Sequence, residues 1–119
     1  MPEQAKRLTV SERDGVTVVS FADKKILDEI GISEIGQHLG SLVAAAGKPK
    51  IVLDFARVSH MSSSALGMLI TLHKRVREKG GELRLAEIER KIYEVFVITR
   101  LNEIFDIHGS VEEAVSSLT

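Results

Sequence analysis

The chain has 119 residues, 44% hydrophobic and 28% charged, with a formal net charge of −1 and no cysteine. That length suits one domain, residues 1–119, burying on the order of two-thirds of its unfolded surface. The charge balance gives no electrostatic case for nucleic acid or an acidic membrane surface, and the missing cysteines exclude disulfides and thiolate metal sites.

The first seven residues, Met1 to Arg7, lack the apolar core of a signal peptide, and residues 1–6 read as a loose N-terminus. No apolar run reaches the length of a membrane span, so a cytoplasmic location with no membrane insertion is expected. Aromatic residues make up 4% with no tryptophan, which weakens any case for stacking on bases or sugars.

From Arg7 to Glu12, Leu8 and Val10 alternate with Thr9 and Ser11, which predicts a short strand. A turn at Arg13-Asp14-Gly15 leads to a β-branched strand, Val16 to Phe21, and hence to an antiparallel hairpin. Ala22 to Lys25 is polar and reads as a loop. From Ile30, apolar residues at Ile32, Ile35, Leu39, Leu42, Val43 and Ala46 predict a helix of about four turns. Gly31, Gly36 and Gly40 weaken it by roughly 1 kcal/mol each, so its apolar face must offset them. They also suit close packing of the helix on a sheet. Gly47-Lys48-Pro49 ends it.

Lys50 to Phe55 is a compact apolar strand of the kind covered on both faces. Helix, short loop and strand together suggest a right-handed crossover. A second helix carries Ala65, Leu69, Leu72 and Val76 on one face, with Lys74, Arg75, Arg77 and Lys79 as a solvated face, and stops at Gly80-Gly81. Glu82 to Ala86 alternates as a strand. Ile88, Ile92, Val95, Phe96 and Thr99 form one helical stripe and are assigned to the core. Ile104 to Ile107 reads as a last strand. Ser110-Val111-Glu112-Glu113 is a capping box opening a final helix to Leu118.

The order is therefore ββαβαβαβα: an α/β fold with a mixed, mainly parallel sheet of about five strands and about four helices. Ligands and partners usually meet such sheets at the carboxyl ends of the strands.

The stretch Val58 to Gly67 occupies one of those ends. It carries three serines, Ser62, Ser63 and Ser64, between a buried strand and a helix. Serine caps the unpartnered N–H groups of a helix start, and the same place favours a bound negative charge. Capping alone is one account of them, although one or two serines suffice for it. A serine nucleophile does not fit: Gly-x-Ser-x-Gly is absent and no acid is placed to orient His60. No glycine-rich phosphate loop follows any strand. The four histidines, His38, His60, His73 and His108, show no metal spacing, and neither a metal nor a cofactor is expected. Asp23, Asp28 and Asp54 suggest an acidic neighbourhood; Asp28 also suits a helix start, and Asp54 a strand end where it accepts backbone hydrogen bonds.

The run from Ile51 to Leu69 resembles the signature of the STAS domain, the domain of bacterial anti-sigma factor antagonists. In that family an apolar strand ends in Asp-Leu. After a short link, Met-Asp-Ser-Ser/Thr-Gly-Leu-Gly opens a helix. Met61 matches the Met, Ser62 stands for the Asp, and Ser63 matches the serine that a partner kinase phosphorylates. Ser64 matches the next hydroxyl residue, Ala65 stands for the Gly, and Leu66-Gly67 match. Leu27-Asp28 resembles a second family feature, a pair lying near the phosphosite.

The resemblance implies a non-enzymatic anti-sigma factor antagonist with no catalytic residue. Its partners would be a serine kinase/anti-sigma factor and a phosphatase. Ser63 would be the phosphoacceptor, with Ser62 and Ser64 as alternates. Asp28, His60, Met61, Ser62, Ser64, Ala65 and Leu66 would form the partner surface, where Ala65 adds a Cβ. Ser62 keeps the capping ability of Asp and loses its carboxylate. The other reading is a STAS adaptor in a sensory or lipid-transport complex, without a phosphoswitch.

Overall fold

A computed structural model describes residues 7–119. The expected loose segment, residues 1–6, lies outside them. Strands β1 (Leu8–Arg13) and β2 (Val16–Phe21) pair antiparallel across a turn in which Asp14 and Gly15 both take positive φ. A two-residue strand, β3 (Lys25–Ile26), precedes helix α1 (Glu29–Ala45) and strand β4 (Lys50–Asp54). Another two-residue strand, β5 (His60–Met61), leads into helix α2 (Ser63–Glu78). Then come β6 (Glu82–Ala86), α3 (Arg90–Ile98), a 3₁₀ turn over Leu101–Glu103, β7 (Asp106–His108) and α4 (Val111–Ser116).

The main sheet has the order β1-β2-β4-β6-β7, with every pairing parallel except β1-β2. The period-two alternation of its strands sorts side chains to two faces. Val19, Phe21, Ile51, Leu53, Phe55, Leu83 and Leu85 join the core under α1, α2 and α3. Val16, Val18, Val52 and Ala86 point the other way and pack against Val111, Ala114, Val115 and Leu118 at and around α4. The central strand β4 is thus covered on both faces, as its unbroken apolar run requires. Val10 shares a parity with Leu8, yet it is exposed on the edge strand.

Four fully or nearly buried side chains of α1, Ile32, Ile35, Leu39 and Val43, stabilise it by roughly 1.5–3 kcal/mol each. Together they outweigh three glycines at roughly 1 kcal/mol each. Two of those glycines do not serve the sheet as expected. A Cβ on Gly36 would sit 3.2 Å from Met68 Cγ, and one on Gly40 would sit 3.0 Å from an Arg75 guanidinium nitrogen. They let α1 lie close against α2.

Three further expectations change. The strands β3 and β5 form a separate parallel pair, Lys25 opposite His60 and Ile26 opposite Met61. Two residues are too short to show a period. The last strand starts at Asp106, not Ile104, because the chain first turns through a 3₁₀ helix that buries Leu101 and Phe105 and leaves Ile104 exposed. Lys79 is no free surface cation. Its Nζ donates to the carbonyl oxygens of Val43, Ala44 and Ala46, tying the end of α2 to the end of α1. Cations favour helix C-termini, where carbonyls lack partners. The Ser110 half of the capping box forms, with Ser110 Oγ accepting from Glu113 N, while the Glu113 carboxylate reaches one residue further back and accepts from Gly109 N.

Candidate functional site

The serine junction stands at the carboxyl end of β4. The strand ends at Asp54, the chain loops through Phe55 to Ser59, and β5 delivers it to α2. Backbone hydrogen bonds hold this loop. Ser59 N and His60 N both donate to Lys24 O, and Ser62 N donates to Ile26 O at 3.0 Å. Asp28 follows β3 by two residues, so the β3-β5 pair sets two helix starts side by side.

Each start has its own cap. Asp28 Oδ2 accepts from Gly31 N at 2.8 Å at the head of α1. Ser62 Oγ accepts from Ala65 N at 3.2 Å at the head of α2. Both caps have extended backbone, as N-caps do. Ser62 is thereby engaged in the fold. Ser63, the first residue of the helix, is exposed, as is Ser64, the second.

Helix geometry turns these two hydroxyls to different sides. Ser63 shares a face with Leu66 at the i, i+3 spacing. Leu66 lines a groove of 240 Å³ with Leu27, Ser59, His60, Met61, Lys91, Ile92 and Val95. Ser64 lines another groove, of 380 Å³, between α1 and α2 with Gly36, Gly67, Met68 and Arg75.

The other residues singled out from sequence fall as follows. His60 is exposed, with Nδ1 3.1 Å from Ser59 Oγ and no carboxylate bonded to it. Met61 is half-buried and Leu66 is 9% exposed. Ala65 is fully buried. Its extra methyl therefore packs into the core and does not meet a partner, which corrects its place in the partner surface. The acidic neighbourhood does not form as one cluster. Asp23 pairs with Arg7 at 2.9 Å, Asp28 caps α1, and Asp54 accepts from Ala56 N and from Ser20 Oγ. Among the described residues no group of three or more histidines and acids is gathered to hold a metal.

Val95, assigned to the core from its spacing, is 42% exposed, while Ile92 and Phe96 are buried. The stripe is real but narrow, and α3 has more apolar residues than its buried face takes. Tyr93, Val97 and Ile98 are exposed as well. That surplus is a sequence signal of an apolar surface, and Val95 was missed because periodicity alone assigns every apolar position to the core.

The sequence profile of the STAS domain matches residues 7–114. BtrV of Bordetella bronchiseptica, assigned as an anti-sigma factor antagonist, is 27% identical over 111 residues, which is 93% of each chain. A solved anti-sigma factor antagonist (STAS) domain protein from Planctomyces limnophilus superposes with a TM-score of 0.85 at 23% identity, covering 92% of this chain and 96% of that one. The Bacillus cell fate determinant SpoIIAA, solved in its phosphorylated form, has a TM-score of 0.70 at 16% identity, covering 94% of this chain and 99% of that one. The chain belongs to the STAS domain family, that of the anti-sigma factor antagonists, which are non-enzymatic regulators. No helix among the described residues is long and apolar enough to cross a membrane.

Proposed function

We propose that this protein is a cytoplasmic anti-sigma factor antagonist that works by partner switching. Unphosphorylated, it binds a serine kinase/anti-sigma factor and frees the sigma factor. Phosphorylated on Ser63 by that kinase, it is released, and a phosphatase restores it. The observation that carries this reading is the division of labour at the junction. Ser62 is committed to the cap, while the Ser63 hydroxyl makes no hydrogen bond among the described residues and stands exposed one residue on. The phosphorylated form of the similarly folded SpoIIAA supports the same chemistry.

The physics suits a switch of binding and leaves the fold alone. A phosphoserine adds about −1.5 to −2 charges at pH 7. At a helix N-terminus the dipole favours that charge by roughly 0.3–1 kcal/mol. A partner burying this surface must desolvate the phosphate, which costs several kcal/mol unless a cation meets it. A Ser63→Asp variant should therefore unfold as cooperatively as wild type in urea.

The deciding experiment incubates the chain with each candidate kinase of its own genome and ATP, then maps phosphosites by mass spectrometry. Modification at Ser63 by one kinase, and its loss in Ser63→Ala, is the expected result. Modification confined to Ser62 or Ser64 would move the switch to that residue. No modification at any of the three would favour the second reading, a STAS adaptor whose junction only docks. That reading draws on Ser62, which lacks the carboxylate of the family's Asp.

A further inference from the structure

The groove lined by Leu66 is built from four segments of the chain. Leu27 comes from the link between β3 and α1, Ser59 to Met61 from the loop and β5, Leu66 from α2, and Lys91, Ile92 and Val95 from α3. Its floor and walls are apolar: Met61, Leu66 and Ile92, with Leu27 and Val95 left 48% and 42% exposed at the edges. Among the described residues, the only ionisable side chains lining it are Lys91 and His60. The acids nearest in sequence, Asp28 and Glu94, are not among the lining residues, and Asp28 is turned to its own helix. Lys25 is exposed opposite His60 in the β3-β5 pair.

Resting on the partner-switching reading, we infer that this groove takes an apolar side chain of the protein partner, with an adjacent carboxylate of the partner paired to Lys91. The volume sets the scale. At 240 Å³ the groove falls below the about 300–1,000 Å³ of small-molecule sites, so it suits one or two side chains of a larger surface. The charge sets the partner's chemistry: an acidic, leucine-bearing segment. Aliphatic and aromatic anchors in such a pocket carry interface energy, while the charged rim sets specificity. Ser63 shares a helix face with Leu66, a lining residue, so a phosphate there adds negative charge on the groove's side of α2 and opposes the partner's carboxylate.

The test needs no kinase. The full chain, isotopically labelled, is titrated with a blocked peptide of two leucines flanked by glutamates, and with its lysine-flanked counterpart, followed by two-dimensional NMR. The acidic peptide should shift signals of Leu27, His60, Met61, Leu66 and Ile92 to Val95, binding about fivefold more tightly than the lysine peptide. Lys91→Glu, checked as folded by its own spectrum, should remove or invert that preference. Ser63→Asp should weaken the acidic peptide, and Ser64→Asp should not. Equal binding of both peptides, shifts centred on the α1-α2 groove, no binding, or shifts explained by self-association of the chain would each overturn the assignment. A chain that binds the acidic peptide here yet is never phosphorylated would sink the switch and leave the groove standing.

Discussion

Replacing Ser62 separates what the junction does for folding from what it does for signalling. Ser62 Oγ is the side-chain partner of Ala65 N at the head of α2, at 3.2 Å. Ser62→Ala removes it, leaves that N–H only its 3.1 Å bond to the Ser62 carbonyl, and should cost about 1 kcal/mol, within the roughly 0.5–2 kcal/mol range of lost N-caps. In a domain of this size that lowers the melting temperature by about 4 °C. Ser62→Asp keeps an acceptor and adds a negative charge at the positive end of the helix, so it should stabilise by about 0.3–1 kcal/mol at low salt. Ser63→Ala deletes an exposed hydroxyl with no hydrogen bond among the described residues and should stay within about 0.5 kcal/mol. Urea unfolding followed by far-ultraviolet circular dichroism resolves the series, provided the slope with denaturant is unchanged. If Ser63→Ala loses as much stability as Ser62→Ala, Ser63 is a structural residue and the assignment of roles at this junction is wrong.

Lys79→Met keeps the aliphatic stem and removes the donor shared by three carbonyl oxygens at the end of α1. It should cost about 1–3 kcal/mol in the same urea assay, and a loss under about 0.5 kcal/mol would show that water serves those carbonyls as well. His73 sits edge-on to Phe105 at 5.3 Å, and its Nδ1 is buried with no hydrogen-bond partner among the described residues. Burial, then the nearby Arg77 cation, pushes its pKa below the ordinary 6.5. As pH falls below about 6.5 the unfolded chain takes up a proton that the folded chain resists, so stability falls with pH across that window. His73→Leu should flatten that part of the melting-temperature profile between pH 8 and 5, and an unchanged slope would assign it to other groups.

The main sheet and its helices were legible because their signals are local and repeated. Four turns of α1 and the alternation of β6 each restate their own period, and β2 announces itself by its β-branched residues. The caps were legible for the same reason, since Ser62 and Ser110 act on N–H groups three residues away. The β3-β5 pair was not, because two residues carry no period and each strand is defined only by the other. The strand before α4 was misplaced because Ile104-Phe105 reads as apolar either way, and only the 3₁₀ turn decides which of the two is buried. The burial of Ala65, the exposure of Val95 and both grooves depend on how distant helices meet, which no short stretch of sequence records.

Ser63 and Ser64 are neighbours in the chain, yet helix geometry sets Ser63 on the side of Leu66 while Ser64 lines the groove between α1 and α2. A negative charge on one is a message to whatever rests against α3, and on the other to whatever rests between α1 and α2. A single helix start can therefore be written in two registers. An enzyme that confused the two hydroxyls would not merely weaken the signal; it would deliver it to a different surface.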